Sequence, residues 1–167
     1  MPKRWSKLRS PVEDLFADGL RLSIHCTVIR TTRANDGSLV NVLGTFTVRL
    51  NGKVIWDFPK QFVTYWTAYP DGGNHYSYSV SDLNGLLREY LDTPKADLPE
   101  KKFARDYFSL TDILKAADRR LGLGRLTEYF RSNEQTWVLA VLEERRALTA
   151  RSKPTRASAA RAVHRGR

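Results

Sequence analysis

Cysteine is almost missing from this chain of 167 residues. With Cys26 alone, no intramolecular disulfide can close and no cysteine-based zinc site can be assembled. Long apolar runs are missing too: the longest, Trp137 to Leu142, spans six residues, far short of the ~18 that a membrane span requires. No apolar segment follows the charges of Lys3 and Arg4, so a secretory signal is not expected and the cytoplasm is the expected compartment. Nucleotide-binding glycine motifs, serine elbows, zinc spacings and calcium-loop patterns are all absent. Neither a metal nor a cofactor is expected. The last absence is of acid: from Arg145 onward there is no Asp or Glu.

What is present is an ordinary globular composition, 41% hydrophobic and 28% charged. The length is that of one domain, large enough to bury a core without a staple. The net charge of +10 is unevenly spread. Of 28 basic residues, eight (Arg145, Arg146, Arg151, Lys153, Arg156, Arg161, Arg165, Arg167) fall in the stretch that has no acid. The remaining 20 face 18 acidic residues, so residues 1–144 carry a net +2. The basic character belongs to the C-terminal segment, not to the body.

Along the chain, Trp5, Leu8, Val12, Leu15 and Phe16 stand at helical spacing, with Pro11 expected to break or restart the helix. Leu20, Leu22, Ile24, Cys26 and Val28 alternate with Arg21, Ser23, His25 and Thr27, which predicts a half-buried strand. Asn51-Gly52 predicts a hairpin. A two-residue turn sets Phe46 and Val48 opposite Asp57 and Ile55. A three-residue loop with a bulge puts them on one face with Val54, Trp56 and Phe58, and the apolar match favours it. A second hairpin is expected between residues 62–69 and 75–80, around Pro70-Asp71-Gly72-Gly73-Asn74. Helices follow: one capped by Ser81 or Asp82 and running through Tyr90, one capped by Ser109 or Thr111 with Leu110, Ile113, Leu114, Ala117 and Leu121 as its stripe, a short one over 126–130, and a last one from Trp137 to Leu148. Strands first and helices afterwards is an α+β pattern. The expectation is an N-terminal helix, an antiparallel sheet of about five strands and a helical half packed on it. The globular domain is expected to cover 1–148, and the Arg/Ala-rich stretch 149–167, where Val163 is the only strong hydrophobe, is expected to be disordered.

The segments Lys3-Arg4-Trp5-Ser6-Lys7-Leu8, Ile24-His25-Cys26-Thr27-Val28, Arg88-Glu89-Tyr90-Leu91-Asp92-Thr93-Pro94 and Leu110-Thr111-Asp112-Ile113-Leu114-Lys115-Ala116-Ala117-Asp118-Arg119-Arg120-Leu121-Gly122 resemble a family of small uncharacterised bacterial proteins. That family has no established activity, so the resemblance implies a compact unit ending near 148 and transfers no functional residue.

Candidate functional residues lie in four places. Asp71 and His75 flank a glycine-rich turn and combine a carboxylate with an imidazole, which makes that loop the candidate catalytic or ligand site. Trp66, Tyr69, Tyr76 and Tyr78 belong to an aromatic-dense stretch able to stack on bases or anchor a protein, or else to form a sheet face beneath helices. His25 and Cys26 are strand neighbours facing opposite ways, so they cannot form a dyad, and Cys26 is expected to be an inert buried thiol. Arg119 and Arg120 suit the helix dipole, or with Arg125 form an anion-binding cluster. Two readings follow. One is a non-enzymatic binding module whose eight basic residues contact nucleic acid or an acidic protein. The other is a small enzyme or ligand-binding domain centred on Asp71–His75. The sequence sets no oligomeric state.

Overall fold

The structure, a computed structural model, describes residues 5–30, 42–58, 80–106 and 108–152. Helix α1 runs over Trp5–Glu13 with Pro11 inside it, so the expected break does not occur. Proline removes the N–H that would meet the Lys7 carbonyl. Lys7 and Pro11 are both exposed, while Leu8 and Val12 are buried. The missing bond therefore falls on the solvent side, and the two anchors hold the helix through it. Glu13 closes the helix onto the sheet: its Oε1 accepts from Arg9 Nε at 2.9 Å and from the Ile24 backbone N–H at 3.1 Å.

Strands β1 (Leu22–Arg30), β2 (Val42–Leu50) and β3 (Lys53–Asp57) form an antiparallel sheet in the order β1-β2-β3. Pairing Leu22 with Leu50, Ile24 with Val48 and Cys26 with Phe46 gathers the apolar side chains on one face. That face is the core side, with Ile24, Phe46 and Val48 at most 1% exposed. Three strands, rather than five, make the sheet among the described residues. The expected second hairpin lies mostly outside them, and Val80, its expected last residue, starts a helix.

The first hairpin reaches the expected face by another route. Asn51 and Gly52 both take positive φ, 52° and 82°, and Leu50 pairs with Lys53 across a two-residue turn. Such a turn has the twist that strands require. The register then shifts: Arg49 pairs with Val54, but Val48 pairs with Trp56, leaving Ile55 as an extra residue. This bulge turns Trp56 and Phe58 inward, at 1% and 5% exposure, and leaves Val54 outside at 47%. The three-residue loop is thus corrected to a tight turn plus a bulge further along, and Val54 does not join the core.

Helices α2 (Val80–Asp92), α3 (Leu110–Ala117), α4 (Leu123–Tyr129) and α5 (Thr136–Ser152) complete the α+β body. Helix α2 buries Leu83, Leu86, Leu87 and Tyr90 at helical spacing, and packs with α1 over the sheet. Helices α3 and α4 both pack on α5. Helix α3 buries its expected stripe of Leu110, Ile113, Leu114 and Ala117, with Leu121 buried just beyond its end. Seven of its eight residues are buried, Lys115 included, so it runs through the middle of the helical half. Neither Ser109 nor Thr111 caps it. Asp106 does, accepting from the N–H groups of Leu110 at 2.7 Å and Thr111 at 3.0 Å, and from the Thr111 hydroxyl. Ser109 instead sits in the left-handed region and its Oγ accepts from Gln135 Nε2 at 2.8 Å. Helix α5 continues through Ser152, past the expected end near 148.

Candidate functional site

The end of α3 is the polar centre of the body. A short antiparallel bridge crosses it: the Ala17 N–H donates to the Ala117 carbonyl and the Arg119 N–H to the Leu15 carbonyl, both at 2.8 Å. This ties the turn after α1 to the exit of α3 and holds Asp118 at 0% exposure. Both carboxylate oxygens of Asp118 are taken. Tyr90 Oη donates to Oδ2 at 3.0 Å, and the Arg120 guanidinium spans both oxygens with Nη2–Oδ2 at 2.7 Å and Nε–Oδ1 at 3.1 Å. The Arg120 backbone N–H adds a contact to Oδ1 at 2.8 Å. Burial, then the neighbouring carboxylate, pushes the Tyr90 hydroxyl well above its ordinary pKa. The hydrogen bond to Asp118 raises that of Arg120. This cluster joins α2 to the end of α3.

Arg145 belongs to the same centre. It is 8% exposed, and its guanidinium donates to the carbonyls of Ala116 at 2.7 Å, Asp118 at 3.1 Å and Leu121 at 3.0 Å. Burial lowers its pKa. Three carbonyls at the end of α3 thereby gain a cationic donor. Arg145, expected among the polyanion contacts, instead lies inside and stitches α5 to α3. Arg120 is likewise spent on Asp118 rather than on the helix dipole. Arg119 remains at the surface, 3.5 Å from Asp18, with side chains 56% and 94% exposed. Arg125 is exposed as well.

Lys115 is the second buried cation, at 2% exposure. Its ammonium donates to the Pro99 carbonyl at 3.3 Å, the Lys101 carbonyl at 3.0 Å and Tyr129 Oη at 3.3 Å, and lies 5.1 Å from the Tyr129 ring centre. Three donors meet three acceptors, so the group is a strut between α3, α4 and the 99–101 turn. Sequence reasoning missed Tyr90, Lys115, Asp118 and Arg145 as one framework. The available signal was charge within the dense apolar run Ile113 to Leu121, where a buried helix must satisfy each charged group.

On the sheet, His25 and Cys26 do point to opposite faces. Ser23 Oγ and His25 Nε2 are 3.1 Å apart on the polar side. Cys26 is half-buried on the core side, and burial pushes its thiol up to about 11, which disfavours the reactive thiolate. Asp71, His75, Trp66, Tyr69, Tyr76 and Tyr78 lie outside the described residues, as do Lys153, Arg156, Arg161, Arg165 and Arg167. Among the described residues, no three His, Cys, Asp or Glu side chains converge as metal ligands. No helix among them is long and apolar enough to cross a membrane.

A surface cleft of about 550 Å³ lies between the turn after α1 and residues 148–152 of α5. Ala17, Asp18, Arg145, Leu148, Thr149, Arg151 and Ser152 line it. Leu148 packs beside Gly19, which turns the chain at φ 79°. Arg146 lies on the flank of α5 that faces α4, donating to Thr127 Oγ1 at 3.1 Å. Comparisons of the chain with protein-family models, curated proteins and solved structures return no match.

Proposed function

We propose that the protein is a non-enzymatic binding module whose basic C-terminal segment contacts a polyanion, with nucleic acid as the partner. The observation that carries this reading is the charge distribution. With Arg145 assigned to the body, seven basic residues from Arg146 to Arg167 still stand without an acid among them. Such a cluster binds phosphates by releasing counterions, independently of sequence. An acidic protein is the alternative partner of the same segment. The structure supports the reading from the body's side: the buried cations Lys115 and Arg145 are satisfied internally, whereas Arg146 and Arg151 on α5 are exposed.

A salt titration on duplex DNA tests it. The full chain binds with a log–log salt slope between about −3 and −6, since four to six of the seven charges engaging phosphates contribute about −0.9 each. A chain ending at Ser152 loses five of those charges and drops from +10 to +5; it binds more weakly and with a shallower slope. No binding by the full chain at low salt rules the reading out.

A further inference from the structure

We infer that the turn end of the β2–β3 hairpin is a second phosphate-backbone contact for nucleic acid, carried by the body and made by Arg21, Arg49 and Lys53. The inference rests on the polyanion reading and gives part of the contact, and part of the salt slope, to the folded body. Its first ground is where the body keeps its positive charge. Residues 20–58, which contain the sheet, hold five basic residues (Arg21, Arg30, Arg33, Arg49, Lys53) against two acids, Asp36 and Asp57. That net +3 exceeds the +2 of residues 1–144 as a whole, so the rest of the body is slightly acidic. The body's surplus of cations belongs to the sheet and its loops.

The second ground is geometry. Asn51 and Gly52, which make the tight turn, are both exposed, and a Cβ at Gly52 would meet nothing within 4 Å, so the tip stands in open solvent. Arg49 and Lys53 flank the turn on its two strands. The Arg21 carbonyl accepts from the Asn51 N–H at 2.8 Å, which brings a third cation-bearing residue to the tip. All three are exposed, and among the described residues no hydrogen bond or ion pair occupies their side chains. Lys115, Arg120 and Arg145, by contrast, are satisfied within the body. Arg49 pairs with Val54, whose 47% exposure sets an apolar side chain beside it on the outer face. Neighbouring side chains across a sheet lie about 5–8 Å apart, so these cations can meet successive phosphates of one strand. Two carboxylates stand near. Asp18 lies 3.5 Å from Arg119, and Asp57, opposite Thr47 on the face of Arg49, forms no ion pair with it. An open tip suits a phosphate strand lying across it more than a ligand that needs enclosure.

The test uses the full chain, duplex DNA and a salt series. Arg49→Gln and Lys53→Gln each make the log–log slope shallower by about 0.9, the loss of one phosphate contact, and the double variant by about 1.8. Both side chains are exposed and unbonded, so the variants keep the parent's urea midpoint and the slope reports binding alone. Arg125→Gln removes an exposed charge in the helical half and leaves the slope unchanged. A change of the same size for Arg125→Gln overturns the hairpin contact in favour of diffuse charge. A parental slope for both hairpin variants, with the parent binding, overturns it and leaves the polyanion reading to the C-terminal segment. Absence of binding by the parent removes both. Polyglutamate competing as well as DNA at equal charge overturns nucleic acid as the occupant.

Discussion

At the residue scale, the stability of the body turns on Asp118. Its carboxylate holds Tyr90 and Arg120, and its carbonyl receives Arg145. Asp118→Ala leaves the buried Tyr90 hydroxyl without its acceptor and Arg120 without its partner. The expected loss is about 3 kcal/mol, in the range for breaking a buried pair from one side. Tyr90→Phe deletes only the hydroxyl and costs about 1 kcal/mol. Urea denaturation of both variants checks the order. Equal losses would mean that Arg120 contributes nothing to the centre. The sequence showed Asp118 and Arg120 as helix-end charges; only the crossing of α2 and α3 makes them partners of Tyr90, 28 residues away.

At the scale of an element, α3 shows how burial changes the titration of a helix start. Burial raises the pKa of both Asp106 and Asp112, and the hydrogen bonds to Asp106 offset this only in part. Each binds its proton more tightly in the native state than in the unfolded chain. The stability they contribute is therefore complete below the ordinary carboxyl range, near about pH 4, and is lost as pH rises through their raised native values. Asp112→Asn removes one of the two titrations while keeping the polar side chain. Its urea midpoint falls less than that of the parent between about pH 4 and about pH 7. An unchanged fall would show that Asp112 is solvated at the start of α3. The alternation of β1 and the spacing of α2 were readable from the sequence because a half-buried element shows its period. The stripe of α3 was readable in the same way, but the burial of Thr111 and Lys115 beside it was not, because that depends on which elements pack against its other side.

At the scale of the whole molecule, the body and the basic segment are expected to be energetically separate. Buried positions extend along α5 as far as Arg145, with Leu148 partly packed, and beyond Ser152 the only strong hydrophobe is Val163. Removing residues 153–167 should change stability by less than about 0.5 kcal/mol, as for other changes that touch no core. A larger loss, read from thermal and urea unfolding together, would show the segment packed on the body. The expected boundary near 148 falls within α5, because apolar spacing marks where burial ends and not where a helix ends.

The sequence by itself determined the α+β class, the apolar face of β1 and β2, the helical faces of α1 and α2, and the segregation of positive charge. Each depends on local period or on counting, which the chain carries without being folded. Tertiary structure decided the bulge at Ile55, the continuity of α1 through Pro11, the capping of α3 by Asp106, and the burial of Lys115 and Arg145. It also decided which arginines stay at the surface: Arg120 and Arg145 are drawn inward by a carboxylate and three carbonyls, while Arg119 and Arg151 remain exposed. Charge can be counted along a chain, but whether a cation meets water or a buried acceptor depends on which elements cross beside it.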